Sequence, residues 1–214
     1  MIFVQERVEP VNFDVSVRRL GNAFLARKGV VVPTNREWKD NRYWGNCLAD
    51  LRSEYSAICA YTASWIAIDA GHAIGTVDHY IPKDEAPELA YEWSNYRFCN
   101  PKVNTNKDNK LDVMDPFKIQ DGWFTIDFIT FRVVPADGLP PYLADAVNST
   151  ITRLKLNNDD RLVEARVERI REYIDGLIPF EYLRRKYPFI AMELDRQDLI
   201  EGVKTMHPTG RFNH

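Results

Sequence analysis

Thr76-Val77-Asp78-His79-Tyr80-Ile81 decides how this chain is read, together with Trp93-Ser94-Asn95 and Asn104-Thr105-Asn106-Lys107 further on. The first run is short, β-rich and closed by Pro82, which predicts a strand. Residues 83–88 are polar and predict a loop, and Tyr91 to Phe98 predicts a second extended stretch. Pro101, at a first-turn position, predicts a short polar helix to about Asn109. The order is strand, loop, strand, helix. Side chains alternate along a regular strand, so Asp78 and His79 serve one site only if the backbone bends near Pro82. The helix places Asn104 and Lys107 one turn apart on one face.

These residue types meet the needs of one reaction. Hydrolysing a phosphodiester takes a base to activate water and a cation to neutralise charge on the phosphate and the leaving oxygen. His79 supplies a base. The oxygens of Asp78 and Asn104 suit Mg²⁺ or Mn²⁺ better than thiolates would. Asn106 is a rival to Asn104 as a ligand. Asn95 also reads as an ordinary loop fastener, and Lys107 reads equally as a solvated helix residue.

Taken together, Asp78-His79, Asn95, Asn104 and Lys107 resemble the HNH endonuclease motif, in the variant whose last position is asparagine. The resemblance implies the ββα-metal fold, with His79 as general base and Asp78 and Asn104 as ligands of a divalent metal, Mg²⁺ or Mn²⁺. It implies that Asn95 ties the loop between the strands and holds His79, and that Lys107 contacts or orients the phosphate. Ile58-Cys59-Ala60-Tyr61 and the run from Pro87 to Arg97 are similar to a narrower group, the bacterial HNH proteins of Septu-type and retron-associated phage defence, and Asp112 to Phe117, Asn148 to Ile151 and Leu154 to Asn157 fit it too. That likeness implies nucleic acid as substrate, DNA ahead of RNA, and a partner ATPase in a defence system. Many HNH proteins brace the fold with zinc held by two Cys-x-x-Cys pairs. Here Cys59-Ala60-Tyr61-Thr62 lacks its second thiol and only Cys99 stands near the helix, so no structural zinc is expected. The missing thiols motivate the alternative, a non-cleaving nucleic-acid-binding or assembly subunit on the same fold. An RNase on this scaffold is a third reading.

The rest of the chain sets bounds. Its 214 residues, 45 % hydrophobic and 28 % charged, suit a folded globular protein. A net charge of −3 argues against non-specific coating of nucleic acid. Between Arg97 and Lys118 the basic residues Arg97, Lys102, Lys107, Lys110 and Lys118 only slightly outnumber Asp108, Asp112 and Asp115. No apolar stretch approaches the ~18 residues of a membrane span, and the first residues lack a secretory pattern, so a cytoplasmic protein with no membrane partner is expected. Cys47, Cys59 and Cys99 form no close pair in sequence and read as small buried thiols rather than a zinc site with His72. His207 and His214 sit in no motif.

Helical spacing of Phe13, Val17, Leu20 and Phe24 predicts a helix with Asn12 as cap and Gly29 as stop, and Trp38, Trp44, Leu48, Leu51 and Tyr55 predict a second. Asp69-Ala70-Gly71 reads as a turn. Asp121-Gly122, between Phe117-Lys118-Ile119 and Trp123-Phe124-Thr125-Ile126, predicts a β-hairpin. Leu143, Val147, Ile151 and Leu154 predict a helix after Pro141, and Asn157-Asn158-Asp159-Asp160 breaks the chain before another. The charges from Arg161 to Glu172 read as a solvated helix face. Two further helices are expected at about 180–187 and 195–204. The expected fold is α+β: one compact domain, residues 1–214, with an HNH core at about 58–110 and an added hairpin. N-terminal helices at about 13–55 and a C-terminal helical region at about 141–205 flank the core.

Overall fold

A computed structural model describes residues 1–29, 31–68 and 75–206. Val30, the turn expected at Asp69-Ala70-Gly71, and His72, His207 and His214 lie outside those residues. The described residues combine helices with two small antiparallel sheets, a mixed composition compatible with α+β. It divides into two compact units, one made of Val4–Ala60 and Ile66–Leu111, the other of Met1–Phe3, Tyr61–Trp65 and Asp112–His214. No stretch of linker composition marks that division in the sequence.

In the first unit, α1 (Arg19–Lys28) is entered through a π-helical turn at Asp14–Arg18. Phe13, Val17 and Phe24 are buried as the spacing predicts, but Leu20 is 42 % exposed and Gly21 takes the inward place. A π turn holds more residues than an α turn, so it rotates the face that follows it. Gly21 suits the position because Tyr91 covers it: a Cβ there would lie 2.0 Å from the Tyr91 Cγ. Asn12 acts through its carbonyl, which accepts from Ser16 N at 3.0 Å and Ser16 Oγ at 2.8 Å, and not as a side-chain cap. Gly29 ends the helix with φ 68°.

The second predicted helix is broken. α2 (Asn35–Asp40) opens on a capping box between Thr34 and Glu37, Asn41 leaves the helix, and a 3₁₀ turn at Tyr43–Cys47 leads into α3 (Leu48–Glu54). Trp38, Trp44, Leu51 and Tyr55 are buried. Trp38 meets Phe24 and Trp44 edge-on, a favoured aromatic geometry.

β1 (Thr76–His79) pairs antiparallel with β2 (Tyr96–Cys99), Asp78 opposite Arg97 and His79 opposite Tyr96. Both strands are shorter than predicted, because the Asn95 side chain replaces the ladder. Its Oδ1 accepts from Ile81 N at 2.8 Å, and its Nδ2 donates to Ile81 O at 2.9 Å and Leu89 O at 3.2 Å. α4 (Pro101–Lys107) follows, its first turn capped by the Asn100 side chain, which accepts from Lys102 N at 2.8 Å. Asp108, at φ 52°, stops the helix short of Asn109.

In the second unit the hairpin lies later than predicted. β3 (Phe124–Asp127) pairs with β4 (Arg132–Pro135), and residues 128–131 make the turn. Asp127 shapes that turn by accepting from Ile129 N at 2.8 Å and Thr130 Oγ1 at 2.6 Å. Phe117-Lys118-Ile119 is no strand, because Asp115 O gathers Lys118 N and Ile119 N at 2.9 and 3.2 Å into a turn behind Pro116. The helices are α5 (Pro141–Arg153), α6 (Asp160–Ile174), α7 (Phe180–Lys186), α8 (Pro188–Arg196) and α9 (Gly202–Met206). Val147, Ile151 and Leu154 are buried along α5 as predicted. The helix expected at 195–204 is instead the end of α8 and the start of α9, since Asp198 at φ 55° breaks it. Glu193 of α8 is 0 % exposed and accepts from Thr125 Oγ1, Ile126 N, Arg196 and Gln197, which fastens α8 to β3. No helix among the described residues is long and apolar enough to cross a membrane.

Candidate active site

Asp78, His79 and Asn104 line one cleft of the first unit, about 450 Å³ in volume, with Arg42, Trp44, Thr76, Pro82 and Lys83 around them. β1 delivers Asp78 and His79, its final residues, just where Asn95 takes the backbone out of the ladder: Tyr80 N donates to Asn95 O at 2.9 Å. α4 delivers Asn104. Asn95 and Lys107 do not line the cleft; both are buried behind it.

His79 is fixed on several sides. Its Nε2 lies 2.9 Å from Ala90 O, a carbonyl that can only accept, so Nε2 carries the proton and Nδ1 is the basic nitrogen. The ring stands edge-on to Trp44 at 4.9 Å and to Tyr96 at 5.2 Å between centroids. The Tyr96 hydroxyl donates to the same Ala90 O at 2.7 Å. Burial pulls the imidazole down to about 4, with Lys83 and Lys107 adding to the effect and the Ala90 carbonyl and Asp78 opposing it. At neutral pH the ring is an uncharged base.

Lys107 is not the solvated helix residue that the polarity of α4 suggests. It is 0 % exposed, and its Nζ donates to Asp78 Oδ1 at 3.1 Å and His79 O at 2.9 Å. Asp78, itself 2 % exposed, therefore shares a buried ion pair. A phosphate entering the cleft meets no exposed ammonium at Lys107; the cations lining the cleft are Arg42 and Lys83. Asn104 Nδ2 reaches Val77 O at 3.5 Å, which leaves the amide oxygen as its acceptor face.

These groups fit a hard divalent cation in part. Asp78 and Asn104 offer carboxylate and amide oxygens, and such a set leaves positions open for water and phosphate. Among the described residues there is no cluster of three or more His, Cys, Asp or Glu that would enclose a metal by itself. Cys59 and Cys99 are buried together at the entry to α4, where Asn100 N donates to Cys59 Sγ and Cys99 Sγ to Asn100 O, at 3.3 and 3.2 Å. Burial, then the neighbouring Cys59, push the Cys99 thiol well above its ordinary value. Cys47 is also buried, its thiol donating to Trp44 O at 3.2 Å.

The sequence reading missed Ala90, Trp44, Tyr96, Arg42 and Lys83. A backbone carbonyl leaves no mark on residue type, and the aromatic rings read as core. Lys83 had a weak signal, a cation just past Pro82 in the loop that follows His79. No protein-family model matches the chain, and no curated protein is significantly similar to it.

Proposed function

We propose that this protein is a metal-dependent endonuclease of the HNH type, hydrolysing phosphodiester bonds in nucleic acid. The observation that carries the reading is the meeting of Asp78, His79 and Asn104 in one cleft, with the His79 Nε2 tied to Ala90 O so that Nδ1 is the base. β1, β2 and α4 follow the strand, loop, strand, helix order of the ββα-metal core, which supports the same reading. Asp78 and Asn104 would hold Mg²⁺ or Mn²⁺, which supplies charge neutralisation at the phosphate and the leaving oxygen.

His79 Nδ1 takes a proton from the attacking water. The new P–O bond forms as the opposite bond, to the 3′ oxygen, breaks, and that oxygen takes a proton from solvent water, leaving a 5′-phosphate and a 3′-hydroxyl. Asn95 holds the loop that positions His79. Lys107 acts behind the site by fixing Asp78 and the His79 carbonyl, while Arg42 and Lys83 meet the backbone phosphates. DNA as the target, a role in phage defence and an ATPase partner rest only on the likeness to that defence group of residues 58–61, 87–97, 112–117, 148–151 and 154–157.

The test is incubation of the pure protein with supercoiled plasmid and with RNA, in Mg²⁺, Mn²⁺ or EDTA, beside His79→Ala. The expected outcome is metal-dependent cleavage that falls by about 10²–10⁴-fold in the variant, the usual worth of a positioned base. The buried Lys107–Asp78 pair also favours a second reading, in which a neutralised carboxylate holds no metal and the cleft binds without cutting. EDTA-resistant binding that is equal in both proteins, with no cleavage, would select it.

A further inference from the structure

The second unit contains a small cavity, about 40 Å³, that the nuclease reading does not use. Leu156, Leu162, Phe189 and Ile190 supply apolar wall, and Thr62 and Ser64 add hydroxyls. Arg166, from the middle of α6, also lines it. Its Nη2 donates to Leu156 O at 2.5 Å, while its Nη1 is buried and has no hydrogen-bond partner. The residues one turn away on α6 are Leu162, Val163, Arg169 and Ile170, so its own helix face carries no acid. Among the described residues no carboxylate forms an ion pair with it, and burial alone draws the guanidinium down to about 10. It is still a cation at neutral pH. The residue as a whole is half-buried, but folded chains ordinarily give a buried donor such as this Nη1 a partner.

We propose that this cavity is a binding site for a small carboxylate, held by the Arg166 guanidinium with its short carbon body against Leu162, Phe189 and Ile190. Two carboxylate oxygens match the donor fork of a guanidinium, and the apolar wall suits carbon better than a hydrated anion. One water needs roughly 10–15 Å³ of such space, so the cavity takes an ion of acetate or propionate size. No residue is shared with the cleft at His79, so the two proposals stand or fall separately.

The experiment follows thermal unfolding and amide spectra of the whole protein while sodium acetate, propionate, phosphate or chloride is added at constant ionic strength. Propionate is expected to raise the melting temperature saturably and to shift the Thr62 and Ser64 amides. Phosphate and chloride are expected to do neither. Arg166→Met should abolish the response without lowering the melting temperature in plain buffer, since it removes an unpaired charge. Arg166→Lys, which keeps the charge but loses the fork, should weaken binding at least about tenfold. If Arg166→Met does not fold, the wild-type titration and the lysine variant decide. A response to phosphate alone, an undiminished response in either variant, or no saturable response to any carboxylate overturns the proposal.

Discussion

Lys107 shows how far residue type alone misleads. Its helix reads as polar and solvated, yet its ammonium is sealed against Asp78 and the His79 carbonyl. Removing one member of a buried ion pair leaves the other charge uncompensated, so Lys107→Met should cost about 3–5 kcal/mol in urea unfolding. Lys107→Met combined with Asp78→Asn should recover part of that loss, which a solvated lysine would not predict. That Asp78, His79 and Asn104 come to one cleft was legible, because they follow a recognisable spacing. What holds them was not: the Ala90 carbonyl that fixes His79 carries no residue signature. Arg166 was lost for a related reason, because it sits among the charges of α6 and its burial depends on neighbours remote in sequence. His79 also offers a pH test. Its folded value, about 4, lies below its ordinary value of 6.5, so between these pH values the unfolded chain binds more protons than the folded one. Stability attributable to His79 is therefore full above that window and falls as pH drops through it. An imidazole titration by NMR should show the ring still neutral at pH 6.

Single local rules decided where elements were predicted well and where they slipped. The π-helical turn at Asp14–Arg18 moved Leu20 outward and brought Gly21 under Tyr91, a change of phase that apolar spacing does not encode. Gly21→Ala should destabilise the protein by about 1–3 kcal/mol, measured by urea unfolding, as the Tyr91 ring is forced aside. An unchanged midpoint would mean that the ring yields freely. The β1–β2 pair was legible from Pro82 and the β-rich runs, but its length was not, because the Asn95 amide competes with the ladder for Ile81. The Asp121-Gly122 signal marked a turn correctly and its partner strand wrongly. Asp115 had already drawn Phe117 to Ile119 into a turn, so β3 pairs forward with β4.

On the scale of the whole chain, every group assigned to catalysis belongs to one unit and the carboxylate cavity to the other. The second unit has its own acid-sensitive fastening. Burial pushes Glu193 up, but its hydrogen bonds from Arg196, Thr125 and Gln197 more than offset this and leave it below the ordinary carboxylate value. A carboxylate lowered in the folded state stabilises above its unfolded value and loses that contribution as pH falls through the folded one. Glu193→Gln should therefore lower the melting temperature at pH 7 and flatten its dependence on pH below about 4.5, while leaving cleavage below the melting range unchanged. A mean composition with net charge −3 gave no hint of these separate sites. Whether Asp78, His79 and Asn104 share a cation is decided by adding Mn²⁺ to the isotope-labelled protein. The ion should selectively broaden the His79 ring and Asn104 side-chain signals, Mg²⁺ should compete the effect away, and Asp78→Ala should abolish it. Broadening confined to other residues, or none at either side chain, would contradict a shared cation.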